Sequence, residues 1–138
     1  KLQINGNYIN GFSIGEKVSS VLKSMSVTNG TLKVLNSSKK EKKSTDIIAT
    51  GDYITVYDAD GKVFKQYQAV LYGDVDGDGE VNIFDHTEVK IHCWYAPSLT
   101  GAYLEAANVD TSSEGVDIFD MVEIKIYMWY NGTIKQTR

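Results

Sequence analysis

The sequence predicts a small α+β module (strand, helix, three strands) followed by a mainly α module built of two acidic loop–helix segments. Three observations carry this. Up to Tyr72, apolar residues alternate in short runs bounded by turn residues, which is the period of half-buried strands. From Gly73 the pattern becomes loop, helix, loop, helix. Finally, "VNIFDHTEVKIHCWY" (81–95) and "VDIFDMVEIKIYMWY" (116–130) agree at nine of fifteen positions, offset by 116 − 81 = 35 residues. A repeat of that strength implies two copies of one supersecondary unit.

The elements follow in order. "YINGF" (8–12) reads as a strand. "SIGE" (13–16) has the form of a capping box, with Ser13 as N-cap and Glu16 three residues on. A helix over "EKVSSVLKSM" then gathers Val18, Val21, Leu22 and Met25 on one face. "TLKVL" (31–35), "YITVY" (53–57) and "VFKQYQAVLY" (63–72) alternate as strands, the last two joined by a turn at "DADG" (58–61). Asp58 and Asp60 are turn chemistry rather than ligands. No catalytic constellation is legible in this half. A boundary near Tyr72–Gly73 divides the chain into 1–72 and 73–138, and helices follow over 83–95 and 118–130.

Composition narrows the function. A 138-residue chain with 42% hydrophobic and 23% charged residues is globular, one ordinary domain or two small ones. Its net charge of -4 points to neither nucleic acid nor an anionic membrane. The carboxylates concentrate in 74–88 and 105–123, which suggests a cation. The basic run "KKEKK" (39–43) reads as a solvated loop. Cys93 is the only cysteine, so no internal disulfide can form; small secreted domains often need such staples, and a metal can replace them. No apolar run approaches the ~20 residues that span a bilayer. The opening "KLQING" shows no signal-peptide pattern and starts in mid-pattern, so the chain is expected to be a fragment of a longer protein.

The first acidic loop is "GDVDGDGEVNIFD" (73–85). Counting from Asp74, side-chain oxygens fall at places one, three, five, nine and twelve: Asp74, Asp76, Asp78, Asn82 and Asp85, with Gly79 sixth. That is the spacing of a calcium loop. A hard cation of this size takes six to eight oxygens at ~2.3–2.6 Å, and the glycine permits the sharp turn around it. Glu80, in the seventh place, would give its backbone carbonyl, and the ninth place often acts through water. The second loop, "NVDTSSEGVDIFD" (108–120), has one residue more. Asn108, Asp110 and Ser112 can open its shell, and Asp117 and Asp120 can close it. It lacks a glycine after Ser112 and carries fewer charges, so calcium should bind there more weakly. Two calcium sites are expected.

These loops and helices resemble a dockerin, the calcium-dependent anchoring module of cellulosomes and related bacterial enzyme complexes. The likeness covers about 73–131. It lies in the duplicated loop–helix with aspartate, not glutamate, in the twelfth place, and in Lys90 and Lys125 at a position often basic in that family. The extra residue in the second loop is a departure. So are Ile83–Phe84 and Ile118–Phe119, where many dockerins have small polar residues. The segment 1–72 is weakly similar to the X modules that precede some dockerins. The resemblance implies an α+β X-type module followed by a mainly α dockerin. It further implies a cohesin domain on a scaffoldin as partner, a secreted or cell-surface location in an anaerobic bacterium, and no catalytic activity.

Helical projection gives a partner face without the family. His86, Val89 and Cys93 gather on one side of the first helix; Met121, Ile124 and Met128 do so on the second. These differ between copies, as two surfaces packing on each other can. The other side holds Phe84, Glu88, Ile91 and Tyr95, with Ile83, Lys90 and Trp94 beside them. Its copy holds Phe119, Glu123, Ile126 and Tyr130, with Ile118, Lys125 and Trp129 beside them. That side is identical at every place, which fits two helices meeting one kind of external surface. Trp94 and Trp129 suit a core position equally well. His86 and His92 lack metal-ligand partners, and Cys93 reads as a small buried residue. Three rival readings are an EF-hand sensor, an enzyme, and a calcium-binding module with a carbohydrate-binding or structural role. No helix precedes Asp74, against the first, and no nucleophile–base arrangement is legible, against the second.

Overall fold

The computed structural model describes residues 1–138. A two-residue turn at Gly6–Asn7, with Gly6 at φ +60°, folds β1 (Gln3–Asn5) against β2 (Tyr8–Asn10). Helix α1 (Val18–Lys23) follows, then β3 (Thr31–Leu35), β4 (Tyr53–Tyr57) and β5 (Val63–Ala69). The sheet order is β1-β2-β5-β4-β3, mixed because β2 runs parallel to β5 while all other pairs are antiparallel. The turn before β5 is Asx chemistry: the Asp58 side chain accepts from the N–H groups of Asp60 and Lys62.

Alternation buries one face of the sheet. Val34, Ile54 and Ala69 join Ile9, Phe12, Leu71 and the inner face of α1, Val18 and Val21, in one core. The capping box expected at Ser13 and Glu16 exists as a turn, with the Glu16 carboxylate accepting from Ser13 N–H at 2.9 Å. It does not open the helix. Gly15 sits at φ +79° and Lys17 is extended, bridging to Ile47, so α1 starts at Val18 without a side-chain cap.

After Tyr72 come helices α2 (Ile83–Trp94), α3 (Gly101–Ala107) and α4 (Ile118–Trp129). Val89 of α2 and Ile124 of α4 are wholly buried between them, and Val75, Ala106 and Ile134 complete this second core. An Ile124→Ala change there removes about 2–5 kcal/mol. The C-terminal segment returns to the junction of the two halves. Gln136 accepts from the Tyr72 N–H and donates to its carbonyl, both at 2.8 Å, and the Arg138 guanidinium lies 3.6 Å above the Tyr72 ring.

The fold class read from the sequence is corrected here. The molecule is an α+β fold with a five-stranded mixed sheet and four helices, not an α+β module followed by a mainly α dockerin. Two elements were absent from that reading, strand β1 and helix α3. The two cores are separate but adjoin: Val70 and Tyr72, just beyond β5, belong to the helical cluster, and Tyr8 of β2 packs against it. Residues 69–75 are all buried, so the chain passes from sheet to helices through packed interior.

Candidate metal centre

The first acidic loop is arranged around Asp74, whose side chain is entirely buried. Its Oδ1 accepts from the N–H groups of Gly77 at 2.9 Å and Asp78 at 3.0 Å, and its Oδ2 from Gly79 at 3.1 Å. A further donor comes from the sheet half: Thr50 N–H to Oδ2 at 2.8 Å. The loop reverses through Gly77 and Gly79, at φ +78° and +87°, where side chains are strained. Asp74, Asp76 and Asp78 are thereby gathered, with one carboxylate oxygen from each lying within 4.8 Å of the others. Asp76 and Asp78 are exposed and Asp74 lies beneath them.

The closing residues are tied to the start of α2. Asn82 is its N-cap and accepts from Phe84 N–H, while Asp85 accepts from Asn82 N–H at 2.8 Å, a complete capping box. The second oxygen of Asp85 accepts from Val75 and Asp76 at 2.7 and 3.1 Å. Asp85 is therefore buried and fully bonded, outside the group of three. The Glu80 side chain is exposed.

Neither of the molecule's two salt bridges, Lys33–Glu41 and Lys42–Asp52, involves a loop acid. Burial accordingly pushes the Asp74 carboxyl up to about 7, opposed by the Thr50 and Gly79 N–H groups and assisted by Asp85 and Asp76. Burial likewise pushes Asp85 up to about 6. Asp76 is raised by burial and by neighbouring Asp78. Buried carboxylates without a cationic partner are costly, and an all-oxygen set of this density suits a hard divalent cation. The donor set therefore fits calcium.

The second loop repeats the frame with less charge. Asp117 caps α4 by accepting from Phe119 N–H, and Asp120 closes the box on Asp117 N–H at 2.7 Å and Asp110 N–H at 2.8 Å. Asp110 is held by Ser112, through its backbone and hydroxyl, and by the Ser113 hydroxyl. Its acids do not gather as those of the first loop do. One atom is conspicuous: Asn108 Oδ1, at the first place, is buried with no hydrogen-bond partner. A buried oxygen left unpaired costs about 1–3 kcal/mol. A cation at that place would satisfy it, so the second loop also fits, with fewer charges.

The helix faces separate cleanly. Val89, Met121 and Ile124 are in the core. Ile83, Phe84, Ile91, Trp94 and Tyr95 are exposed, as are Ile118, Phe119, Ile126, Trp129 and Tyr130. Both tryptophans, which the sequence left between core and surface, are more than half exposed, at 55% and 58%. Lys90 lies over the Trp94 ring at 5.5 Å and Lys125 over Trp129 at 5.4 Å, the same contact in each copy. A 240 Å³ groove between α2 and α4 is lined by His86, Lys90, Trp94, Met121, Val122 and Lys125. Glu88 and Glu123 are half-buried on the same helices. Thr50, which donates to Asp74, and Ile47 and Ile48, which lie against Gly79, approach the loop from far along the chain and leave no local pattern in the sequence.

No protein-family model matches the chain, and no curated protein or solved structure shows a significant likeness to it.

Proposed function

We propose that this chain is a calcium-dependent, dockerin-type anchor. It binds a cohesin domain on a scaffoldin and tethers its parent protein in an extracellular, cellulosome-like complex. The observation that carries the reading is a coincidence of two repeats. Each acidic loop runs directly into a helix through an Asn/Asp–Asp capping box, and each helix bears the same exposed Ile-Phe…Ile…Trp-Tyr residues, with a Glu and a Lys between them. A bound cation in each loop neutralises the buried acids and so holds the start of the helix that carries the face. No step in this account needs a reaction, and the acids are occupied in binding and capping.

The face suits a protein partner. The exposed large apolar residues on two adjacent helices and their C-caps form the kind of aromatic-rich surface that protein interfaces bury. Lysines stacked on tryptophans and the flanking glutamates supply a polar rim. The test is a capture experiment with the full chain against a panel of cohesin domains, with calcium and with chelator. Capture by at least one cohesin that chelator abolishes is the expected result. Capture of none, or capture indifferent to chelator, overturns the proposal.

A further inference from the structure

We propose that loop 47–52 of the sheet half forms the second wall of the first acidic loop. In this arrangement the Thr50 backbone N–H is the group that positions Asp74 for the cation. The inference rests on the reading of 74–85 as a calcium loop. Of the four N–H donors to Asp74, three belong to its own loop, and the fourth, Thr50, lies 24 residues away in sequence.

Thr50 is itself fixed. Its hydroxyl donates to the Leu71 carbonyl at 3.1 Å and accepts from the Leu71 N–H at 3.0 Å, three residues ahead of Asp74. Its loop is anchored in turn by the Lys42–Asp52 salt bridge at 2.7 Å and by Ala49 N–H on Asp52. The acidic loop seats against this wall closely. A Cβ at Gly77 would lie 2.8 Å from the Thr50 carbonyl oxygen, and one at Gly79 would lie 2.8 Å from that of Ile48. The two turn glycines thus serve a close approach as well as a turn. The second loop gains no such donor: Asn108 Oδ1 has no partner at all. Arg138 holds the Asn108 main chain, donating to its carbonyl at 2.8 Å, but not its side chain, so one chain carries an opening side chain oriented from outside its loop and one that is not, an internal control. A carboxylate oriented before the ion arrives loses less freedom on binding, and outer-sphere partners of this kind typically change metal affinity about 10–100-fold.

The experiment is a two-site calorimetric calcium titration of the full chain as wild type, Thr50→Pro and Thr50→Ala, with amide NMR in parallel. Proline removes the N–H; alanine keeps it and loses only the hydroxyl bonds to Leu71. Thr50→Pro is expected to weaken the first site about ten-fold or more and to leave the second unchanged. Thr50→Ala is expected to lower thermal stability while the ratio of the two affinities stays within about two-fold. Should Thr50→Pro not fold, the wild-type spectrum decides: the Thr50 amide moves in the same titration step as Gly79, and Asn108→Ala leaves that step intact. A folded Thr50→Pro with unchanged first-site affinity, equal weakening in both variants, or a Thr50 amide that stays still as the first site fills overturns the inference. A wild-type chain that takes up no calcium overturns the calcium reading first.

Discussion

Asp74 is wholly buried and forms no salt bridge, so a proton and a cation would compete for one place. The carboxyl is raised from 3.8 to about 7 in the folded, metal-free chain. Between those values the folded state holds more protons than the unfolded one. Asp74's contribution to metal-free stability is therefore fully present at low pH and is lost as pH rises through this window. Calcium binding, as proposed, would have the opposite dependence, since the proton must leave before the ion binds. The metal-free chain should melt higher at about pH 5.5 than at about pH 7.5, while calcium affinity should be greater at the higher value. Scanning calorimetry with and without chelator checks both. A metal-free melting temperature that rises across this range would contradict the assignment. Between the loops, Asp74→Ala should cost more calcium affinity than Asn108→Ala, because it removes a full charge from the better-formed loop; calorimetry on the two variants compares them. The cluster of Asp74, Asp76 and Asp78 was legible in the sequence because all three lie within five residues and the spacing alone sets their register. Thr50 was not legible, because nothing local marks a residue whose contribution is a main-chain N–H brought from another part of the sheet.

At the scale of elements, α2 and α4 were legible almost to their ends, since a repeated 3.6-residue pattern and a capping residue mark each. The three longer strands were legible for the same reason, by alternation over five residues or more. Helix α3 was not: seven residues, "GAYLEAA", are too short to show a stripe, and its burial is mostly of alanines. Strand β1 was not either, because three residues cannot display a period. The repeated face carries its own prediction. Phe84 is 67% and Phe119 61% exposed, so truncating them should leave folding and calcium uptake nearly intact. If either copy can engage the partner, changing Phe84 and Ile91 to Ala weakens cohesin binding modestly, as does changing Phe119 and Ile126. All four together remove most of the affinity, at ~1.5–3 kcal/mol for each fully buried anchor. Surface plasmon resonance on the three variants separates the cases. Loss from a single pair means one copy alone binds; normal binding by the quadruple variant means the interface lies elsewhere.

For the whole molecule, the sequence pattern suggested two modules in series because its period changes at Gly73. In the structure two core clusters meet at a buried stretch, residues 69–75, and the C-terminal segment straps over Tyr72. A change of period marks a change of element type, and packing across it depends on contacts such as Tyr8 against the helical core, which no local pattern encodes. The consequence is coupling. Removing calcium should loosen the loops and α2 and α4, and should also release loop 47–52, while the sheet core around Ile54 and Phe12 persists. Hydrogen exchange resolves this: protection at Thr50 should fall on chelation together with that at Gly79, and protection at Ile54 should not.

The most direct measurement is a calorimetric calcium titration of the metal-free full chain, run at neutral pH in two buffers of different ionisation enthalpy. The account predicts two sites of unequal affinity, the tighter one lost in Asp74→Ala, with protons released as it fills. Absence of calcium uptake, or uptake indifferent to Asp74, would contradict it.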